Sequence, residues 1–191
     1  HPEFTHLDPI GRSRIAESTL KEASHRRAIA RGKVFMAPST ALAIASGQIA
    51  KGDPLPVARV AGIQAAKRTS DLLPLCHPLL VGSVFLNFRI EESHVEIEAY
   101  VDTVDRTGVE MEALTACSVA ALALYDMCKS IDRDMSIGEV MLFEKSGGRA
   151  GTWRRPGAAD FETELGTSLG SGAGRGDIGA EIDSALAAHV G

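Results

Sequence analysis

Two runs of strictly alternating character, joined by four polar residues, constrain this chain more than anything else in it. Val84, Leu86, Phe88 and Ile90 alternate with Ser83, Phe85, Asn87 and Arg89, and Val95, Ile97, Ala99 and Val101 alternate with Glu96, Glu98, Tyr100 and Asp102. Successive side chains of a strand point to opposite faces, so the two runs predict a β-hairpin with one apolar and one wet face. It turns at Glu91-Glu92-Ser93-His94. From Gly108 the period changes to an Ala/Leu/Met pattern that predicts a long helix ending near Ile131, and Ile137 to Glu144 predicts a last strand. An apolar sheet face must be covered, and the helices are the available cover.

Ahead of the hairpin, the Ala, Lys, Arg and Glu of Thr19–Gly32 predict a short helix and Lys33–Met36 a brief strand. Ser39 or Thr40 can cap a helix that stops at Gly47, where glycine tolerates the required turn. Lys51-Gly-Asp then forms a loop, and Pro54 or Pro56 opens a helix to Arg68 whose apolar positions are Val57, Val60, Ala61 and Ala65. The order strand, helix, hairpin, helix, strand is that of an α+β, ferredoxin-like split βαβ fold. Its sheet is antiparallel, with helices packed on one face. The opposite face is left in need of cover.

A length of 191 residues suits one core-forming domain. Residues 5–153 are read as that domain, His1–Phe4 as a leader left by cloning, and residues 154–191 as a Gly-rich mobile tail with a short helix over Ile178–His189. Net charge of −5 argues against a general nucleic-acid binder. Cys76, Cys117 and Cys128 are an odd number with no CxxC pair, and are read as reduced thiols rather than a disulfide framework or structural zinc site. No apolar run of about 20 residues and no signal-peptide order is evident, so no membrane partner and a cytoplasmic location are expected.

Chemistry concentrates in two places. In Lys67–Leu80, Cys76 and His77 stand between Pro74 and Pro78, which restrict the backbone and predict an extended Leu75–His77. Core filler and a binding site are both open readings of that segment. On the long helix, Glu110 and Glu112 suit the positive end of the helix dipole, while Asp126 and Lys129 are neighbours three apart. The nearly all-apolar stretch Ala116–Leu124 predicts that Asp126 and Lys129 are partly covered, where a lysine beside a carboxylate suits general acid-base work. Glu112 and Asp126 lie on nearly one helix face but about 21 Å apart along the axis. Either the two ends serve different purposes, or an oligomer brings one end against the other end of a neighbouring copy.

Taken together, Lys51-Gly-Asp, Ala61-Gly-Ile-Gln-Ala-Ala-Lys-Arg-Thr69, Leu73-Pro-Leu-Cys-His-Pro-Leu79, Thr107-Gly-Val-Glu-Met-Glu-Ala-Leu-Thr115, Tyr125-Asp-Met-Cys-Lys129 and Lys145-Ser-Gly-Gly148 resemble the MoaC family, molybdenum cofactor biosynthesis protein C. The resemblance spans roughly Thr5 to Trp153. It implies a cyclic pyranopterin monophosphate synthase, a lyase that converts a 3′,8-cyclised dihydroguanosine triphosphate to cyclic pyranopterin monophosphate and pyrophosphate. It further implies a homohexamer, a trimer of dimers, with sites between subunits. Carried over to this chain, Asp126, Lys129 and Lys51 are catalytic. Leu75, Cys76, His77, Met111, Glu112, Lys67, Arg68 and Lys145 bind substrate, with Cys76 contributing position or backbone contacts. No cofactor or protein-held metal is implied; Mg²⁺ would accompany the triphosphate. Two rivals are a metal hydrolase built on Cys76, His77, Glu112 and Asp126, which lacks the usual ligand spacing, and a ferredoxin-like RNA binder, for which only Phe85 and Tyr100 face the wet side.

Overall fold

A computed structural model describes residues 22–159 together with residues 10, 12 and 161. The chain divides into two compact units, His1–Pro156 and Gly157–Gly191. The helix expected over Ile178–His189 lies outside the described residues.

In the first unit the elements run β1 (Ser24–Phe35), α1 (Pro38–Ala45), α2 (Pro54–Lys67), α3 (Thr69–Leu72), β2 (Ser83–Ile90), β3 (His94–Asp105), α4 (Glu110–Cys128), β4 (Ser136–Ser146) and β5 (Trp153–Arg154). One antiparallel sheet has the order β2-β3-β1-β4-β5. The first four strands reproduce the split βαβ order, with the predicted hairpin as β2 and β3. The short β5 is an addition the sequence did not suggest.

The segment read as a helix over Thr19–Gly32 is instead β1 from Ser24 onward. Helix-favouring residues are overridden because this strand runs through the middle of the sheet, pairing with β3 along its whole length and with β4 on its other side. Ala28, Ala30, Gly32 and Val34 face the helices and are buried, and their small size lets α4 come close. A Cβ on Gly32 would meet Cys117 Sγ and Val140 Cγ2, each at 3.0 Å.

Helix faces follow the same logic. Pro38, rather than a Ser39 or Thr40 cap, starts α1, and Gly47 stops it at φ 70°. On α2 the buried residues are Pro54, Ala58, Gly62, Ala65 and Ala66, while Val57 and Val60 point outward, against expectation. The contact with α4 is too tight for valine, since a Cβ on Gly62 would lie 2.9 Å from the Ala116 carbonyl oxygen. Helix α4 is long and apolar enough to cross a membrane by length and composition, contrary to the sequence reading, yet half of that stretch is buried within the fold. It lies over the Ala28, Ala30, Val95, Ile97, Ala99 and Val101 face of the sheet as the core helix.

Candidate active site

The motif Lys51-Gly-Asp divides its work by residue type. Gly52 turns the chain at φ 106°, and the Asp53 carboxylate accepts the Leu55 N–H at 3.1 Å to cap α2. That turn points Lys51 at the C-terminal end of α4. Its ammonium donates to the Asp126 carbonyl, 3.1 Å away, and stands 3.8 Å from Asp126 Oδ2. Lys129, one turn on, lies 2.6 Å from Asp126 Oδ1. The carbonyls of a last helical turn lack intrahelical donors, so a lysine is doubly welcome there. Hydrogen bonding and charge from Lys129, then the charge of Lys51, hold the Asp126 carboxyl below the ordinary value, so it stays ionised at neutral pH. All three side chains are exposed, at 58% for Asp126, which corrects the expectation that Asp126 and Lys129 are covered. The apolar residues before them turn mostly into the core, leaving Val119, Leu122 and Ala123 to line a shallow groove that runs to Asp126 and Lys129.

At the other end of α4 the neighbours are different. Thr69 is buried and donates to the Ala65 and Ala66 carbonyls, closing α2 and leading through α3 to Leu73. The Cys76 N–H then donates to the Leu73 carbonyl at 3.1 Å. Residues 73–76 are therefore a turn rather than the extended run expected of Leu75–His77, and the chain opens only from His77. Leu75 and Met111 are exposed, and Cys76 and His77 half-buried. Glu112 is buried at 4% exposure. Burial, against a hydrogen bond from its own backbone and with the charges of Glu110 and Asp105 adding to it, pushes its carboxyl up to about 7. Burial and the charge of Glu112 raise the Cys76 thiol as well, which makes it a poor nucleophile. Lys67 and Arg68 are exposed at the end of α2, with no ion pair among the described residues.

Lys145 belongs to a third group. It lies 2.9 Å from Glu110 Oε1 and lines a cleft of about 790 Å³ with Arg26, Arg27, Arg106 and Arg149. Arg26 donates through Nε to the Asp105 carbonyl at 3.3 Å and through Nη2 to the Arg106 carbonyl at 3.2 Å, tying β1 to the loop that opens α4. These arginines were missed because their segment was read as helical; on a strand end the Arg26-Arg27 pair marks the cleft. From sequence Glu110 reads only as a dipole partner, because its pairing with Lys145 across 35 residues has no local signal.

Of the sequence-derived residues, Lys51, Asp126 and Lys129 are thus brought together, and Cys76 lies near Glu112. Within one chain Asp126 stays with the lysines at one end of α4 and Glu112 at the other, so a single chain does not assemble the ligand set of the metal-hydrolase rival. Among the described residues, no group of three or more His, Cys, Asp or Glu is placed to hold a metal ion.

The MoaC family profile matches residues 15–148, and every motif of this site lies within that span. The chain belongs to the MoaC family. Its MoaC relatives include the cyclic pyranopterin monophosphate synthase of Thermomicrobium roseum, 56% identical over 155 residues that cover 80% of this chain and 93% of the relative. The synthase of Pelotomaculum thermopropionicum is 53% identical over 166 residues, 86% of this chain and 98% of the relative. That of a Roseiflexus species is 56% identical over 151 residues, 78% and 96%.

Proposed function

We propose that this protein is a cyclic pyranopterin monophosphate synthase of molybdenum cofactor biosynthesis, acting on (8S)-3′,8-cyclo-7,8-dihydroguanosine 5′-triphosphate. The observation that carries the reading is the Lys51, Asp126 and Lys129 trio, set on family motifs in a chain over half identical to named synthases. The ring rearrangement needs protons moved at nitrogen and oxygen, and two ammonium groups on one ionised carboxylate can give and recover them. Closing a cyclic phosphate with loss of pyrophosphate is a lyase-type step, in which a substrate hydroxyl oxygen bonds to the α-phosphorus as the bridging bond to pyrophosphate breaks. The cations of the Lys145 cleft suit the charge on that leaving group, and Mg²⁺ can travel with the triphosphate.

One chain leaves the Lys51, Asp126 and Lys129 end and the His77 and Glu112 end separated by the length of α4. A homohexamer built as a trimer of dimers would bring the end of one copy to the opposite end of the next. The outward Val57 and Val60 of α2 and Leu122 of α4 are apolar surface suited to such contacts.

The deciding experiment incubates the protein with the cyclised dihydro-GTP and follows pterin product and pyrophosphate. Wild type is expected to form both in equal amounts, and Lys51→Ala and Lys129→Ala to lose at least a hundredfold in rate, the scale of a removed acid-base group. Absence of product from wild type, or undiminished turnover by both variants, refutes the assignment.

A further inference from the structure

Besides the packing of Leu79 and Val81 against the core, the exit of the segment that carries His77 is hydrogen-bonded by two residues outside every family motif named above. Between Cys76 and the start of β2 the chain makes no regular pairing, and Pro78 has no N–H to donate. The Leu80 side chain is 88% exposed and anchors nothing. The exit of the segment is nevertheless held at three points by β3. The Thr103 hydroxyl donates to the Leu80 carbonyl at 2.6 Å. The Gly82 N–H donates to the Asp102 carbonyl at 2.9 Å, and the Ser83 N–H to Asp102 Oδ1 at 3.1 Å. The fit is close, because a Cβ on Gly82 would lie 3.0 Å from the Asp102 carbonyl oxygen and 3.2 Å from Oδ1.

Asp102 is itself fixed. Its Oδ2 accepts the Tyr100 hydroxyl at 3.2 Å and lies 3.5 Å from His25 Nε2. Thr103 is 5% exposed, so its hydroxyl has little access to water and relies on the Leu80 carbonyl as its partner.

We propose that Asp102 and Thr103 are positioning residues that fix the Leu75–Val81 segment, and with it His77, an inference that rests on His77 belonging to the substrate site. The latch acts three residues from the imidazole, and its hydrogen bonds run to Leu80, Gly82 and Ser83 rather than to the Lys51 and Lys129 groups. Its loss should therefore be felt in substrate binding more than in turnover.

Thr103→Val keeps the shape and removes the donor; Thr103→Ser keeps the donor. Hydrogen-deuterium exchange of the free protein reads the segment directly, without substrate. Thr103→Val is expected to speed exchange of the hydrogen-bonded amides at the two ends of the segment, Cys76, Gly82 and Ser83, about tenfold, on the scale of one lost hydrogen bond, with the β1 and α4 amides unchanged. With the cyclised dihydro-GTP, the same variant is expected to raise KM about tenfold at nearly constant kcat, and Thr103→Ser to restore both readouts. Wild-type exchange at Cys76, Gly82 and Ser83 in Thr103→Val, faster exchange across the whole sheet, or failure of Thr103→Ser to restore protection overturns the latch. Faster segment exchange with unchanged KM overturns its role in positioning. If wild type itself forms no product, the synthase reading falls, and with it the role assigned to His77, while the exchange result still decides whether the latch exists.

Discussion

Glu112 sits in a place that ordinary helix chemistry does not require. A first-turn glutamate can satisfy the helix dipole from the surface, as the sequence suggests, but this one is buried, and its carboxyl is pushed from 4.5 up to about 7. The unfolded chain ionises it near the lower value and the native protein near the higher, so between them the native state binds more protons. Stability therefore falls as pH rises from about 4.5 to about 7 and is level above that, the gap corresponding to about 3 kcal/mol. Glu112→Gln cannot ionise. Urea unfolding is expected to show the variant gaining on wild type by up to about that amount between pH 4 and pH 8. A difference that stays flat with pH would mean that the buried carboxyl is not a source of strain. Partners decide the reverse case of Glu98, placed on the wet face by alternation yet only 2% exposed. Arg31, directly across the β1–β3 ladder, lies 2.8 Å from its carboxylate and stacks 3.6 Å over the Phe143 ring. Alternation correctly assigned the face; the burial was hidden because Arg31 was read as part of a helix.

At the scale of elements, what could be read in advance was whatever announces itself by local period. The hairpin and α4 were legible because alternation and an apolar helical run are properties of the segments alone. Strand β1 is not, because its core-facing residues Ala28, Ala30 and Gly32 are small and carry little alternation signal, and its identity comes from pairing on both sides with distant strands. The face of α2 was misread for a related reason: at close approach the residues that pack are the smallest, not the most apolar. This yields a test. Gly62→Ala places a methyl 2.9 Å from the Ala116 carbonyl oxygen and 2.5 Å from Leu86 Cδ2. Leucine can rotate, but the α4 backbone cannot move without disturbing the sheet beneath it. The expected cost is about 1–3 kcal/mol, read as a lowered urea midpoint with an unchanged slope, although alanine is the better helix former. Val60→Ala, on the outward face, is expected to cost the isolated chain under about 0.5 kcal/mol. Equal effects of the two would contradict the assigned α2 face.

For the whole molecule, α4 poses a question of distance that its own chain does not answer. Lys51, Asp126 and Lys129 gather at one end, Glu112 and Met111 occupy the other, and about 21 Å of helix separates Glu112 from Asp126. A substrate of nucleotide size would be served by both ends only if they come from different copies. If so, two variants inactive for opposite reasons should complement each other. Lys129→Ala damages one end and His77→Ala the other, and subunits exchanged at equal amounts under mild denaturant would reassemble at random. A site that takes one end from each of two chains is intact only when the first chain carries a wild-type Lys129 and the second a wild-type His77. This combination arises in about a quarter of sites by chance. Mixed protein is therefore expected to regain about a quarter of wild-type synthase activity, well above the mean of the two parents, whereas sites contained within single chains would regain nothing.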